Sequence, residues 1–207
     1  RDKVIKKAKT FGITSELVNS PSVALGTSEV NLLELTGAYN IVANGGNGVW
    51  NHGVMYIEDV DGNQLYSRKG FGHGKVLENN VAKEITKMLK KTVEIGTGKN
   101  AKIDRPIAGK TGTSQSLRDA WFIGFSSHMV TGVWFGNDDD SPMEKITGGK
   151  APAKLWSDFM IKAHERIPKK ELTNLLLPTQ PPKIGSLKDR QIKKEKGSIF
   201  ERIIDDL

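Results

Sequence analysis

Cysteine is absent from the 207 residues, which removes disulfides, thiolate metal sites and a cysteine nucleophile together. No apolar run is long enough to span a bilayer, and no signal peptide opens the chain. The histidines, His52, His73, His128 and His164, stand far apart with no ligand spacing, so neither a metal site nor a cofactor is expected. Internal repeats are missing as well. Charge is not balanced: 31 Lys+Arg against 24 Asp+Glu give a net +7. The basic residues are scattered and no recognition signature accompanies them, so general basicity is expected and nucleic acid is not. A chain of this size holds one sizeable core, or one domain with a long extension. It begins at Arg1 in what reads as the middle of a helix, and the expectation is a fragment whose remainder lies upstream.

What is present is a succession of helical and extended periods. Val4, Ile5, Ala8 and Phe11 share a face of a packing helix that Gly12 stops. A second helix starts at Asn31, with Glu34 three residues on as in a capping box, and carries Leu32, Leu35, Tyr39 and Val42 at helical spacing before Asn44-Gly45-Gly46. Residues 55–60 and 64–68 read as an antiparallel pair joined by a tight turn across Asp61-Gly62. After a glycine-rich link, Asn80 is placed to cap a helix with Val81, Ile85, Met88, Leu89 and Val93 as its stripe, ended by Gly96 and Gly98.

Three extended runs follow, 106–114, 120–125 and 130–135, and their short connections predict an antiparallel meander that leaves an edge for a substrate peptide. Asn137-Asp138-Asp139-Asp140 lacks the ligand pattern of a calcium loop and reads as a solvated acidic turn. Beyond Thr147-Gly148-Gly149, a helix with Pro152 in its first turn presents Leu155, Trp156, Phe159, Met160, Ala163 and Ile167 as an apolar face. From Pro168 the composition shifts to Lys, Pro and Gln. A domain over 1–167 and a stiff, poorly packing extension over 168–207 are therefore expected. Ser198 and Glu201, with Phe200, Ile203, Ile204 and Leu207 on one face, predict a marginal terminal helix that frays alone, with a docking tail as the alternative.

The stretch that organises the rest is Ala108-Gly109-Lys110-Thr111-Gly112-Thr113-Ser114, followed by Asp119 to Phe125. A Lys between small residues, then Thr-Gly-Thr, sets a cation, hydroxyls and backbone N–H groups where no bulk blocks an anion or a polarised carbonyl. A phosphate-binding loop would need a Gly five residues before Gly109, and that position is Asp104. Lys110 as a plain surface lysine on an edge strand is the remaining alternative, and for Trp121, Phe122, Trp134 and Trp156 packing is the expected role.

The ordered set resembles the C-terminal half of the transpeptidase domain of class A penicillin-binding proteins. It comprises Ala24-Leu25-Gly26 with Glu29-Val30; Leu33-Glu34-Leu35 with Ala38-Tyr39; Ala43-Asn44-Gly45-Gly46; the Lys-Thr-Gly stretch; Asp119-Ala120-Trp121-Phe122-Ile123-Gly124; Val133-Trp134-Phe135-Gly136-Asn137-Asp138-Asp139; and Thr147-Gly148-Gly149 ahead of Trp156 and Phe159-Met160.

The resemblance implies an α/β fold of the α+β type, a five-stranded antiparallel sheet covered by helices and incomplete in this chain. It implies acyl transfer through a serine from stem peptides ending in D-Ala-D-Ala, with acylation by β-lactams. Carried over, Lys110 and Thr113 are the catalytic candidates, and Thr111, Gly112, Thr113 and Ser114 the substrate-binding ones. Lys110 supplies positive potential, the Thr111 and Thr113 hydroxyls take the substrate carboxylate, and the Thr113 N–H is one arm of an oxyanion hole. It also implies a bacterial envelope location outside the cytoplasmic membrane, with an anchor and the remaining site residues upstream. No Ser-x-x-Lys and no Ser-x-Asn occurs in the chain, and Thr147-Gly148-Gly149-Lys150 is not accepted as a nucleophile motif. The chain alone is expected to be inactive. A non-catalytic wall-binding module and a serine carboxypeptidase or β-lactamase are the competing readings.

Overall fold

The computed structural model describes residues 1–68, 72 and 74–172. Aromatic and β-branched residues concentrate between 119 and 136, and there the chain forms β6 (Asp119–Phe125) and β7 (Val130–Gly136). With β5 (Ala108–Thr113) they make a three-stranded antiparallel meander in the order β5-β6-β7. The expected meander is therefore present, and three of the five strands that the resemblance implies lie in this sheet. Register pairs Thr111 with Phe122 and Phe122 with Val133, so these share one face; Gly112, Trp121 and Trp134 share the other.

Each face has its own core. On the first, Phe122 packs with Val93, Ala101, Ile107, Ala153, Trp156 and Met160. Phe122 and Trp156 are fully buried and meet edge to face at 5.2 Å; burying a side chain the size of Phe122 is worth about 1.5–3 kcal/mol. On the second, Phe125 and Ala108 pack with Val42, Ala43 and Leu89, and Leu172, beyond Ile167, is buried there too. The helices that cover the faces are α4 (Ala151–Ala163) on the first and α2 (Leu32–Ala43) on the second. Between them in sequence, α3 (Asn79–Glu94) gives Val93 to one core and Leu89 to the other. The first helix, α1 (Asp2–Thr10), buries no residue, though Phe11 just past its end packs on the second core.

Helical periodicity located these elements but misjudged their faces. On α3 the buried residues are Ala82, Thr86, Leu89 and Val93, while Val81 and Met88 are exposed. Small residues let the helix lie close, and the Thr86 hydroxyl donates to Ala82 O at 2.8 Å, which makes its burial cheap. Asn80 is not the cap; Glu78 holds that position and Asn80 Oδ1 accepts from Val81 N inside the first turn. On α4 the buried set is Pro152, Ala153, Trp156, Ser157 and Met160, with Leu155 and Phe159 half-exposed, and the helix ends at Ala163, before Ile167. In α2 the buried residues are Ala38, Ile41, Val42 and Ala43, toward its C-terminal end, while Leu32 and Leu33 at its start are more exposed. Asn31 does cap it, accepting from Glu34 N at 2.9 Å. The Glu34 carboxylate does not return to Asn31; it accepts from the Thr14 hydroxyl and from Ser15 N and Oγ, the last at 2.7 Å. The capping box is thus half made.

A short pair, β1 (Asn47–Gly48) with β4 (Gly74–Lys75), ties the end of α2 to the start of α3. There Gly46 O accepts from both Val76 N and Leu77 N. Residues 53–68 belong to a separate small unit built on a hairpin, β2 (Tyr56–Glu58) with β3 (Gln64–Ser67). The tight turn expected across Asp61-Gly62 starts earlier, with Gly62 N donating to Asp59 O at 3.1 Å and Asp59 N to Asn63 O at 3.0 Å. The Asp59 carboxylate accepts from Asp61 N, Asn63 N and Asn63 Nδ2, which closes a longer loop and comes with a register shift at Ile57/Glu58.

Two of the histidines that stand far apart in sequence are ring neighbours: His128 and His164 lie 6.2 Å apart, edge to face. His164 is buried, and its Nδ1 bonds the Met160 carbonyl at 2.8 Å. A carbonyl only accepts, so Nδ1 carries the proton and Nε2 accepts from the buried Ser126 hydroxyl, also at 2.8 Å. Ser126 Oγ accepts in turn from His128 N and Met129 N. The pair links the β6–β7 turn to the end of α4. The terminal helix expected near residue 198 and most of the 168–207 extension lie outside the described residues.

Candidate active site

β5 runs from core to solvent: Ala108 and Gly109 are buried, Thr111 and Gly112 partly covered, Lys110 and Thr113 exposed. Past its end Ser114 N donates to Asp119 O at 3.0 Å, and Ser114 Oγ accepts from Asp119 N at 2.7 Å. That bonded pair fixes the phase of the ladder. In an antiparallel pair bonded and non-bonded positions alternate, so Gly112 and Lys110 face β6, while N–H and C=O of Thr111 and Thr113 face the outer edge. No strand occupies that edge among the described residues. The Lys110 ammonium lies along it, donating to Thr111 O at 2.8 Å.

The hydroxyls are held from the opposite side of the strand. Thr111 Oγ1 lies 2.7 Å from Thr97 Oγ1, and Thr113 Oγ1 accepts from Gly148 N at 3.0 Å. Because Thr113 accepts there, its own proton is left for another acceptor. Gly148 lies flat on the β5–β6 backbone: a Cβ on it would stand 2.2 Å from Trp121 O and 2.4 Å from Gly112 O. Next to it, Gly149 O accepts from Asn100 Nδ2 at 2.7 Å. On the far face Trp121 covers Gly112 and meets Trp134 at 6.2 Å. Trp134 is 41% exposed, not the core residue expected, because its indole N–H reaches the Asp119 carboxylate at 2.9 Å near the rim of the sheet.

Lys110, Thr111, Gly112, Thr113 and Ser114 thus fall on one strand and its closing turn, as the motif predicts. The motif does not include Thr97 and Asn100; their one trace in the sequence is a Thr held between two glycines, which reads as a helix stop. The acidic turn after β7 is tied by an Arg118–Asp140 ion pair and by Asn137 Nδ2 donating to Ser141. Among the described residues no group of three or more His, Cys, Asp or Glu is placed to hold a metal ion. A cavity of about 240 Å³, lined by Val42, Asn79, Ala82, Thr86 and Leu172 among others, contains no residue of the motif.

A family model described as the penicillin binding protein transpeptidase domain matches residues 2–160. Penicillin-binding protein 2D of Bacillus subtilis (strain 168) is 33% identical over 168 residues, 77% of this chain and 24% of that protein. Penicillin-binding protein 1A of Aquifex aeolicus is 38% identical over 141 residues, 67% of this chain and 19% of its own length. The chain therefore spans about a quarter of the length of the curated relatives it matches. In fold it is similar to penicillin-binding protein 1A from Haemophilus influenzae, with TM-score 0.68, 24% identity, and coverage of 78% of this chain and 30% of that one. It is similar also to PonA1 from Mycobacterium tuberculosis in complex with penicillin V, with TM-score 0.71, 22% identity, and coverage of 79% and 50%. The family match, the relatives and the antiparallel Lys-Thr-Gly strand agree that this chain belongs to the penicillin-binding protein transpeptidase domain family.

Proposed function

We propose that the chain supplies the Lys-Thr-Gly strand of a serine D,D-transpeptidase that cross-links peptidoglycan stem peptides and is acylated by β-lactams. The observation that carries this reading is the outer edge of β5, where the Thr111 and Thr113 backbone groups and the Lys110 ammonium meet with no strand partner among the described residues. A stem ending in D-Ala-D-Ala would lie along that edge as an added strand. A serine from outside the chain attacks the penultimate carbonyl, forming an ester and releasing the terminal D-Ala; an amine of a second stem then takes the acyl group and frees the serine. The Thr113 N–H, already turned outward, receives the oxyanion. Such a donor typically lowers a barrier by about 2.7–4 kcal/mol. The Thr113 hydroxyl, whose oxygen is occupied by Gly148 N–H, donates its proton to the terminal carboxylate together with Thr111. Lys110 adds positive charge beside both.

The remaining roles follow from this reading. The upstream part of the same protein brings the Ser-x-x-Lys and Ser-x-Asn residues, since neither motif occurs here, and the chain alone does not react. The protein works in the bacterial envelope, on the outer side of the cytoplasmic membrane, held by a segment outside this chain. The competing reading is a module that keeps the fold without the chemistry.

Penicillin labelling of the complete gene product separates them, with the modified peptide located by mass after digestion. An adduct on a Ser-x-x-Lys peptide is expected, and Lys110→Ala slows its formation about a hundredfold, a loss of the size seen for a single charge-stabilising group. A folded product that takes no adduct would point to the non-catalytic module. Release of hydrolysed in place of cross-linked stems would assign a carboxypeptidase.

A further inference from the structure

The loop between α3 and β5 carries a hydroxyl that the motif does not include. Thr97 is exposed, yet its Oγ1 lies 2.7 Å from Thr111 Oγ1, a separation at which one of the two must donate to the other. The helix stop does not need that hydroxyl. Gly96 N bonds Lys91 O at 3.0 Å and Gly98 N bonds Thr92 O at 2.9 Å, and these contacts turn the chain whatever side chain stands between them.

The loop is also pinned where it presents Thr97. Gly98 is buried, and a Cβ on it would stand 3.1 Å from the Phe122 ring. Across from it the Thr97 carbonyl packs on Gly149, where a Cβ would come within 2.3 Å of its oxygen, and Asn100 Nδ2 binds Gly149 O. The same Thr147–Gly149 segment holds Thr113 through Gly148 N. One framework therefore fixes both hydroxyls that flank Gly112: Thr113 by a backbone N–H, Thr111 by Thr97.

We propose that Thr97 is a positioning residue that orients the Thr111 hydroxyl toward the substrate carboxylate, a role that rests on the reading of Thr111 given above. Thr97 donates to Thr111 Oγ1, which leaves the Thr111 proton as the free end of a two-hydroxyl relay. A carboxylate at the β5 edge takes that proton, and its charge polarises both bonds in the same direction. An ester in place of the carboxylate is a neutral, weaker acceptor and gains less from the relay. Thr97 is thus a determinant of preference for acids over their esters, acting through Thr111 without touching the ligand.

The test is the acylation rate of the complete gene product with benzylpenicillin and with its methyl ester. Parent, Thr97→Val, Thr97→Ser and Thr111→Val are compared, each first shown to be folded by thermal unfolding. Valine keeps the shape of threonine and removes the hydroxyl; serine keeps the hydroxyl. Thr97→Val is expected to slow the acid about tenfold, the scale of one hydrogen bond to a charged group. It slows the ester less, and Thr97→Ser returns most of the rate. Equal slowing of acid and ester, or none, while Thr111→Val still loses the preference for the acid, would overturn the role of Thr97 alone. Loss of no preference in Thr111→Val would show that the carboxylate reading of Thr111 has failed, and this proposal with it.

Discussion

Gly148 shows what a single residue contributes to the strand beside it. Its N–H holds the Thr113 hydroxyl, and its missing side chain is what allows the Thr147–Gly149 segment to rest on the β5–β6 backbone. A methyl at that position would sit 2.2 Å from Trp121 O and 2.4 Å from Gly112 O, and both are sheet backbone that cannot step aside. Gly148→Ala is therefore expected to lift the segment off the sheet, to cost about 1–3 kcal/mol of stability, and to slow penicillin acylation of the complete protein. Acylation at the parent rate with an unchanged unfolding midpoint would show that the contact is not needed. Sequence named the five motif residues, because Lys-Thr-Gly-Thr-Ser is contiguous. Thr97, Asn100 and the bond from Gly148 to Thr113 join positions 14 to 49 residues apart, and no local pattern records such pairings.

At the scale of elements, the alternation along β5 decides which amides a substrate can reach. Amides of Lys110 and Gly112 face β6, those of Thr111 and Thr113 face outward. Residue-resolved hydrogen exchange should find the first pair protected and the second pair fast, with Thr113 slowing after acylation by penicillin. Uniform protection of all four without ligand would mean that the outer edge is already paired. Helix α2 offers a second test. Its Glu34 carboxylate is held down to about 2 from an ordinary 4.5, first by the Thr14 hydroxyl and then by Ser15 against the cost of burial. A carboxyl lowered by folding stabilises above its unfolded value and loses that contribution as pH falls toward the folded one. The unfolding midpoint of the parent should thus drop faster than that of Glu34→Gln between about pH 4.5 and 2, and parallel curves would refute the tether. Periodicity made Asn31 and the helix legible. It could not foresee Glu34 turning to Thr14, nor α3 burying Ala82 and Thr86 in preference to Val81 and Met88, because neighbouring surfaces chose the face.

For the molecule as a whole, a sheet covered by helices was legible from strand and helix order, but the core on each of its faces and the ties that close it were not. Ser126 and His164 lie 38 residues apart and read as unremarkable polar positions in sequence. In the fold their side chains join the β6–β7 turn to the last turn of α4, the helix that brings Trp156 and Met160 onto Phe122. Ser126 Oγ serves three partners, His164 Nε2 and the N–H groups of His128 and Met129. Ser126→Ala would leave a buried imidazole nitrogen and two backbone donors without a protein partner, and each such group costs about 1–3 kcal/mol when water cannot replace the bond. Since the turn can open to hydrate the two N–H groups, the expected net loss is roughly 2–3 kcal/mol, or roughly 4–12 °C in the unfolding midpoint of a chain this long. The link lies on the α4 side of the sheet, away from the outer edge of β5, so acylation of the complete protein well below that midpoint should keep the parent rate. A variant that melts with the parent would show the buried pair to be idle; one that melts early and also fails to acylate would show that α4 sets the geometry of β5 as well as its stability.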